Sequence, residues 1–136
     1  MKNKIGFILV KPQIGENIGA CARSLKNFGF SKLHIISPKQ SWPNNRAKAT
    51  SVGAYDIIKK AKIFDNTSDA ISDFDIVVSL SARKRDINKK HISINQFLKT
   101  IKSKQDTKFG LMFGPEASGL SNDDLSLSNF VLQIPT

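Results

Sequence analysis

Three short stretches of this chain combine residue types that can hold an anionic ligand or handle a proton. The first, KPQIGENIG (Lys11–Gly19), runs on into Ala20, Cys21, Ala22 and Arg23. It is neither G-x-G-x-x-G nor G-x-x-x-x-G-K-[ST], so ordinary dinucleotide and nucleoside-triphosphate sites are disfavoured. Gly15 and Gly19 around a helix start can still admit a phosphate to free backbone N–H groups. At about 100° per residue, Arg23 falls about 140° round from Ile18, away from the apolar stripe and free to reach a ligand. The competing reading is an ordinary exposed helical arginine, and Asn17 on the same first turns weighs against it.

The second stretch is LMFGPEASGLSNDDL (Leu111–Leu125), in which a buried strand enters Gly114-Pro115-Glu116, then Ser118-Gly119, then a helix capped by Asn122. Glycines allow close backbone approach and Pro115 fixes the turn. Glu116 can cap, pair with Arg23 or orient a loop. The third stretch, SLSARKR (Ser79–Arg85), ends a strand in small residues just before a basic run. That junction can place Arg83 beside a ligand while Lys84 and Arg85 meet backbone phosphate.

Other chemistries find little support. His34 sits inside a strand pattern and His91 in a Lys-rich loop, and neither has spaced partners for a metal. Cys21 falls on the apolar helical face, where a structural thiol is the plain reading, and there is no G-x-S-x-G. Trp42 and Tyr55 are single aromatics without an interleaved pattern, which disfavours an RNA-recognition-motif platform. The one cysteine cannot form an internal disulfide, and no apolar run reaches a membrane span, so a cytoplasmic protein is expected.

The elements that must position these stretches follow from pattern. Ile5–Val10, Leu33–Ser37, Asp75–Ser81, Phe109–Gly114 and Asn129–Ile134 are short, apolar and rich in β-branched or aromatic residues, and read as buried strands. Between the first two, Ile18, Cys21, Ala22, Leu25 and Phe28 recur as one helical face, with Asn17 as cap and Gly29 as stop. Further helices are expected over Arg46–Lys59, Thr67–Ser72, Ser93–Lys102 and Asn122–Ser126, and a polar loop over Lys39–Lys48. The β-α alternation implies an α/β fold with a mainly parallel sheet covered on both faces, as one domain over residues 1–136. In such sheets ligands bind beyond the C-terminal strand ends, where the three stretches lie.

Charge points to a polyanionic partner. The 136 residues carry 21 Lys and Arg against 11 Asp and Glu, a net +10 with pI near 9.9. Residues 83–108 hold nine bases and two acids, whereas 109–136 hold three acids and no base. A nucleic-acid-facing patch is the preferred reading of the run, with a solvated helix and loop as the alternative.

Taken together, NIGACAR (Asn17–Arg23), NFGF (Asn27–Phe30), SAR after the Asp75–Ser81 strand, FGPEASGLSNDDL (Phe113–Leu125) and IPT (Ile134–Thr136) resemble the ordered motifs of the SpoU branch of the SPOUT RNA methyltransferases. Within it the chain is most similar to the bacterial enzymes that methylate ribose 2′-hydroxyls in the tRNA anticodon loop. The resemblance implies a trefoil-knotted α/β fold, a homodimer, S-adenosylmethionine as cofactor, tRNA as partner and no metal. By position it implies that Asn17 and Arg23 belong to the first motif, Arg23 engaging the target phosphate or ribose and helping the 2′-hydroxyl lose its proton. Glu116 would support the catalytic loop by hydrogen bonds. Ser81, Ala82 and Arg83, then Phe113 and Gly114, then Ile134 would wrap the methionine and adenosine moieties, with Arg23, Lys84, Arg85, Lys89 and Lys90 towards RNA.

Two departures stand out. Pro115 replaces the arginine commonest in the second motif, which removes a positive charge. After Ile134-Pro135-Thr136 the family pattern continues with a Ser-x-Asn-containing third motif and a helix, so a fragment or truncated member, with an incomplete knot, is expected. The reading is S-adenosylmethionine-dependent 2′-O-ribose methylation of tRNA. The alternatives are an inactive or truncated RNA-binding module of the same fold, or an rRNA 2′-O-methyltransferase.

Overall fold

The computed structural model describes residues 4–81 and 89–133. Seven strands, β1 (Ile5–Val10), β2 (Lys32–Ile36), β3 (Lys62–Phe64), β4 (Ile76–Ser81), β5 (Lys90–Ile92), β6 (Phe109–Phe113) and β7 (Phe130–Gln133), form one sheet in the order β3-β2-β1-β6-β4-β7-β5. All six pairings are parallel, as the long crossovers require. The five expected strands are present within a residue or two of their expected bounds. Edge strands β3 and β5 were not foreseen, because three residues, one of them a lysine, make no apolar run to recognise. His91 therefore lies on β5 and not in a loop.

Helices cover both faces, as expected. Helices α1 (Gly15–Asn27), α2 (Asn45–Ser51), α3 (Tyr55–Lys60) and α5 (Ile94–Ser103) lie on one face, and α4 (Thr67–Ile71) and α6 (Asn122–Ser126) on the other. Helix α1 buries Ile18, Ala22 and Leu25, and ends in the expected manner. Gly29 takes a φ of 83°, its N–H reaches the Lys26 carbonyl at 3.1 Å, and the Phe30 N–H reaches that of Leu25 at 2.8 Å.

Three helix expectations need correction. Asn17 is not the cap of α1: the helix starts at Gly15, Ile14 holds the cap position without a side-chain bond, and Asn17 lies within the first turn. The cap of α6 is Ser121, whose hydroxyl accepts from the Asp124 N–H, while Asn122 is the first helical residue. The single helix over Arg46–Lys59 is two, broken where Val52 takes a φ of 44°. Helix α5 shows a complete capping box, Ser93 and Gln96 each bonding the other's backbone N–H.

Because side chains alternate across a strand, the core splits into layers. Ile8, Val10, Met112, Val77 and Val131 pack with Phe74, Ala70 and Leu125 on one face. Phe74 lies over Gly6 and Gly110, which pair in register, and a Cβ on either glycine would meet its ring. On the opposite face, two clusters form around α1–α2–α3 and around α5.

Candidate cofactor and RNA site

The site grows from the C-terminal ends of β1 and β6, which pair with Leu9 opposite Phe113. Past Val10 the backbone turns sharply at Lys11, whose φ is 47°. The chain then reaches Gln13, which clasps the loop after β6 in both directions. Its N–H donates to Glu116 Oε2 at 3.0 Å and Oε1 at 3.4 Å, and its side-chain Oε1 accepts from the Ala117 N–H at 2.9 Å. Charge-assisted bonds of this kind are stronger than neutral ones, so two loops about a hundred residues apart are held in fixed register. Of the three roles open to Glu116, it takes that of orienting a loop. It makes no ion pair with Arg23, which among the described residues has neither an ion pair nor a hydrogen bond.

The β6 loop is equally determined. A Cβ on Gly114 would collide with the backbone of Gly119 and Leu120, so only glycine lets the loop fold back. Gly119 has a φ of 72°, and its N–H closes the turn on the Pro115 carbonyl at 2.9 Å. Gly15 and Gly19 have another task than the expected one. The Gly15 N–H donates to Gln40 Oε1 at 2.9 Å, and a side chain on either glycine would run into α2 or its Asn44 cap. They permit α1 and α2 to pack closely, and the Gly15 N–H is no longer free for a phosphate.

Between α1, β1 and β6 a cleft of about 370 Å³ opens, bounded by Phe7, Leu9, Asn17, Ile18, Phe113 and Glu116. Its walls are apolar and its polar groups stand at the rim, the composition of a site that shelters an apolar ligand part and orients a polar one. Cys21 also lines it; burial pushes its thiol up to about 11, so it stays protonated and is no nucleophile.

The structure thus brings Asn17, Phe113, Gly114 and Glu116 around one space. Arg23 is exposed on α1 outside the lining. Ser81 is buried at the end of β4, the strand beside β6, opposite Gln133 of β7. Lys90 is exposed and Lys89 half-buried at β5, four strands from β1, a span of roughly 19 Å at about 4.8 Å per strand. Among the described residues, one chain therefore does not gather Arg23 with Lys89 and Lys90. Ala82, Arg83, Lys84, Arg85 and Ile134 lie outside the described residues.

The sequence reading missed Gln13, Gln40 and Asn44. Asn44 caps α2, its Oδ1 accepting from the Arg46 and Ala47 N–H groups at 3.0 Å each. Asn immediately before a helical run was a usable signal for that cap. Nothing local marks Gln13 or Gln40, whose partners are distant in sequence.

Among the described residues no three His, Cys, Asp or Glu side chains gather as a metal site, and no helix is long and apolar enough to cross a membrane. The model of the SpoU rRNA methylase family matches residues 4–136. A tRNA (cytidine/uridine-2′-O-)-methyltransferase TrmJ of Sodalis glossinidius is 35% identical over 136 residues, 99% of this chain and 53% of the relative. A tRNA (cytidine-2′-O-)-methyltransferase TrmJ of Methanocaldococcus jannaschii is 36% identical over 139 residues, 97% and 58% of the two chains. The crystal structure of TrmJ from Z. mobilis ZM4 superposes with a TM-score of 0.90 at 36% identity, covering 96% of this chain and 58% of that one. The SpoU methyltransferase AviRb of Streptomyces viridochromogenes, in complex with AdoMet, has a TM-score of 0.73 at 16% identity, over 100% and 50% of the chains, which shows a common fold alone. The chain spans about half the length of the curated relatives it matches.

Proposed function

This chain belongs to the SpoU rRNA methylase family, and from that premise we propose that it carries the S-adenosylmethionine-dependent 2′-O-ribose methyltransferase domain, over residues 1–136, of a tRNA-modifying enzyme. The relatives whose names specify tRNA 2′-O-methylation support this substrate over rRNA. The observation that carries the reading is the Gln13–Glu116–Ala117 clasp, which fixes the loops after β1 and β6 around the cleft holding Asn17, Phe113 and Gly114.

S-adenosylmethionine, when bound, supplies an electrophilic sulfonium methyl group. The residues fit such a ligand: Phe113 and Gly114 leave the sheet beside Ser81 on adjacent, paired strands, and Phe113 offers a half-buried apolar face. With Ala82, Arg83 and Ile134, they hold the methionine and adenosine moieties. Arg23, exposed and without a partner among the described residues, meets the phosphate or ribose of the target and stabilises the oxygen as its proton leaves. Asn17, on the first turn of the same helix, holds the target beside the cleft. Glu116 keeps the loop in place through Gln13 and does not touch the reacting atoms. Catalysis is then mainly positioning plus removal of one proton, and no metal takes part.

Lys89 and Lys90 contact RNA backbone from the far edge of the sheet, and Lys84 and Arg85 of the same basic run add to that contact. A homodimer suits this division, because a second copy can bring its own edge to the cleft. Exposed Ile14 and Phe28 at the two ends of α1 offer it an apolar contact. The setting is the cytoplasm. The test is methyl transfer from labelled S-adenosylmethionine to undermethylated tRNA, followed by alkaline hydrolysis. An alkali-resistant labelled dinucleotide is expected. Label on a base would refute ribose chemistry, and transfer to rRNA alone would refute the substrate.

A further inference from the structure

Beside this cleft lies a second pocket that the reaction does not use. The loop after β2, with α2 and α3, encloses about 250 Å³ between Trp42, Asn45, Lys48, Tyr55, Ile58 and Lys59. Two aromatics that form no pattern in the sequence are brought here to one cavity. Trp42 is half-buried, its inner side packed on the α1–α2–α3 cluster, and Tyr55 is 41% exposed. Lys48 Nζ stands 4.9 Å from the Tyr55 ring centroid, a distance at which a cation is held by an aromatic face.

The polar groups of the pocket divide into committed and available. Asn44 spends its amide on the α2 N-terminus, Gln40 and Ser41. Asp56, the acid on these helices, is taken by Lys26 at 2.9 Å. The Lys48 and Lys59 ammonium groups and the Asn45 side-chain amide have no ion pair or hydrogen bond among the described residues. The cavity therefore presents an aromatic wall, the Lys59 ammonium, the Lys48 ammonium resting on the Tyr55 ring with its hydrogen-bond donors unspent, an available amide and no available carboxylate. Its volume falls below the roughly 300–1,000 Å³ usual for a whole cofactor, and suits one base with its phosphate. Stacking on an aromatic side chain tolerates any base, and lysines supply the backbone charge.

Position points the same way. Asn44 packs against Gly15 and Gln40 bonds its N–H, so the pocket adjoins the start of α1, two residues before Asn17. We propose that the Trp42–Tyr55 pocket holds an unpaired RNA nucleotide next to the one presented at Asn17, its base on the Trp42 indole and its phosphate on Lys48 and Lys59. This rests on the reading of RNA as substrate.

Trp42 is the sole tryptophan of the chain, so its emission reports on this pocket alone. Titration with oligouridylate and oligoadenylate of about ten nucleotides should quench it saturably, and a duplex of equal length should do so far less. The exposed double variant Lys48→Gln, Lys59→Gln should lower single-strand affinity about tenfold and flatten its salt dependence by up to about 0.7 log units for each phosphate no longer neutralised. Trp42→Ala should weaken binding of a labelled oligonucleotide at least about fivefold; should it fail to fold, the wild-type emission and the lysine pair decide alone. Unchanged emission while a labelled oligonucleotide saturates would overturn the proposal, as would no binding at all. Equal quenching by duplex, or by an acidic peptide, would overturn it too, since neither offers an unpaired base. Quenching without any methyl transfer would leave the pocket standing and count against the proposed reaction, whereas methyl transfer without quenching would overturn the pocket only.

Discussion

Strands β1 and β6 present two faces made from the same ten or so residues, and the faces differ. Ile8, Val10 and Met112 are sealed beneath α4, α6 and Phe74, with exposures of 0%, 2% and 0%. Their alternating neighbours Phe7, Leu9, Leu111 and Phe113 are only half-buried, and three of them line the cleft beside α1. Hydrophobic burial favours covering both faces, so apolar groups left half-open beside polar rim residues are where binding is expected, and the sealed face supplies stability.

The widest separation between the faces should come from truncating one residue on each. Ile8→Ala leaves a cavity in a closed layer and should cost about 2–5 kcal/mol, read from the denaturant midpoint at constant slope. Leu9→Ala, one residue along, should cost less than half as much while weakening S-adenosylmethionine or RNA binding. Equal losses would erase the distinction.

Glycine substitutions sharpen the same contrast at about 1–3 kcal/mol. Gly19→Ala drives a methyl into Thr50 and the Ala47 carbonyl, and Gly114→Ala into the Gly119–Leu120 backbone; both should lower the midpoint. Gly53→Ala, with open space around it, should not.

A smaller effect belongs to the sealed face. His34 is 1% exposed, its Nδ1–H donates to the Ala70 carbonyl at 3.0 Å, and desolvation holds its pKa below the ordinary value. The unfolded chain then binds a proton on this residue where the folded chain does not, so stability is present above about pH 6.5 and falls as pH drops through the lowered folded value. His34→Leu should flatten that portion of the slope between pH 7.5 and 5.5. On the open side, Cys21 should react slowly with iodoacetamide at pH 8, the rate rising roughly tenfold per pH unit towards its pKa of about 11. Fast alkylation at neutral pH would mean that the cleft wall opens far more than this packing allows.

The strands were legible because apolar runs and the crossover lengths between them are local signals, though which of their faces is sealed was not. Five strands, their parallel direction and the apolar stripe of α1 follow from runs such as Ile5–Val10 and the helices between them, whereas the order of the strands across the sheet does not. The open side was legible only in residue types. Asn17 and Glu116 stand out by residue type, but what fixes Glu116 is Gln13, and a bond spanning a hundred residues leaves no periodic trace. Gly15 and Gly19 were misread for the same reason, since a glycine that admits a phosphate and one that admits a neighbouring helix look alike until α2 is placed. Trp42 and Tyr55 met only through the break at Val52, whose positive φ no residue type announces.

The most direct measurement compares Arg23→Ala with the unaltered protein in tRNA methyl transfer and in S-adenosylmethionine affinity. Arg23 is exposed and has no partner among the described residues, so its loss should leave stability unchanged and cofactor affinity within a few-fold. Turnover should fall about ten- to a hundredfold, as for a charge-assisted contact made in the transition state. Near-normal turnover would contradict the assignment of α1 to the target and return Arg23 to the ordinary protein surface.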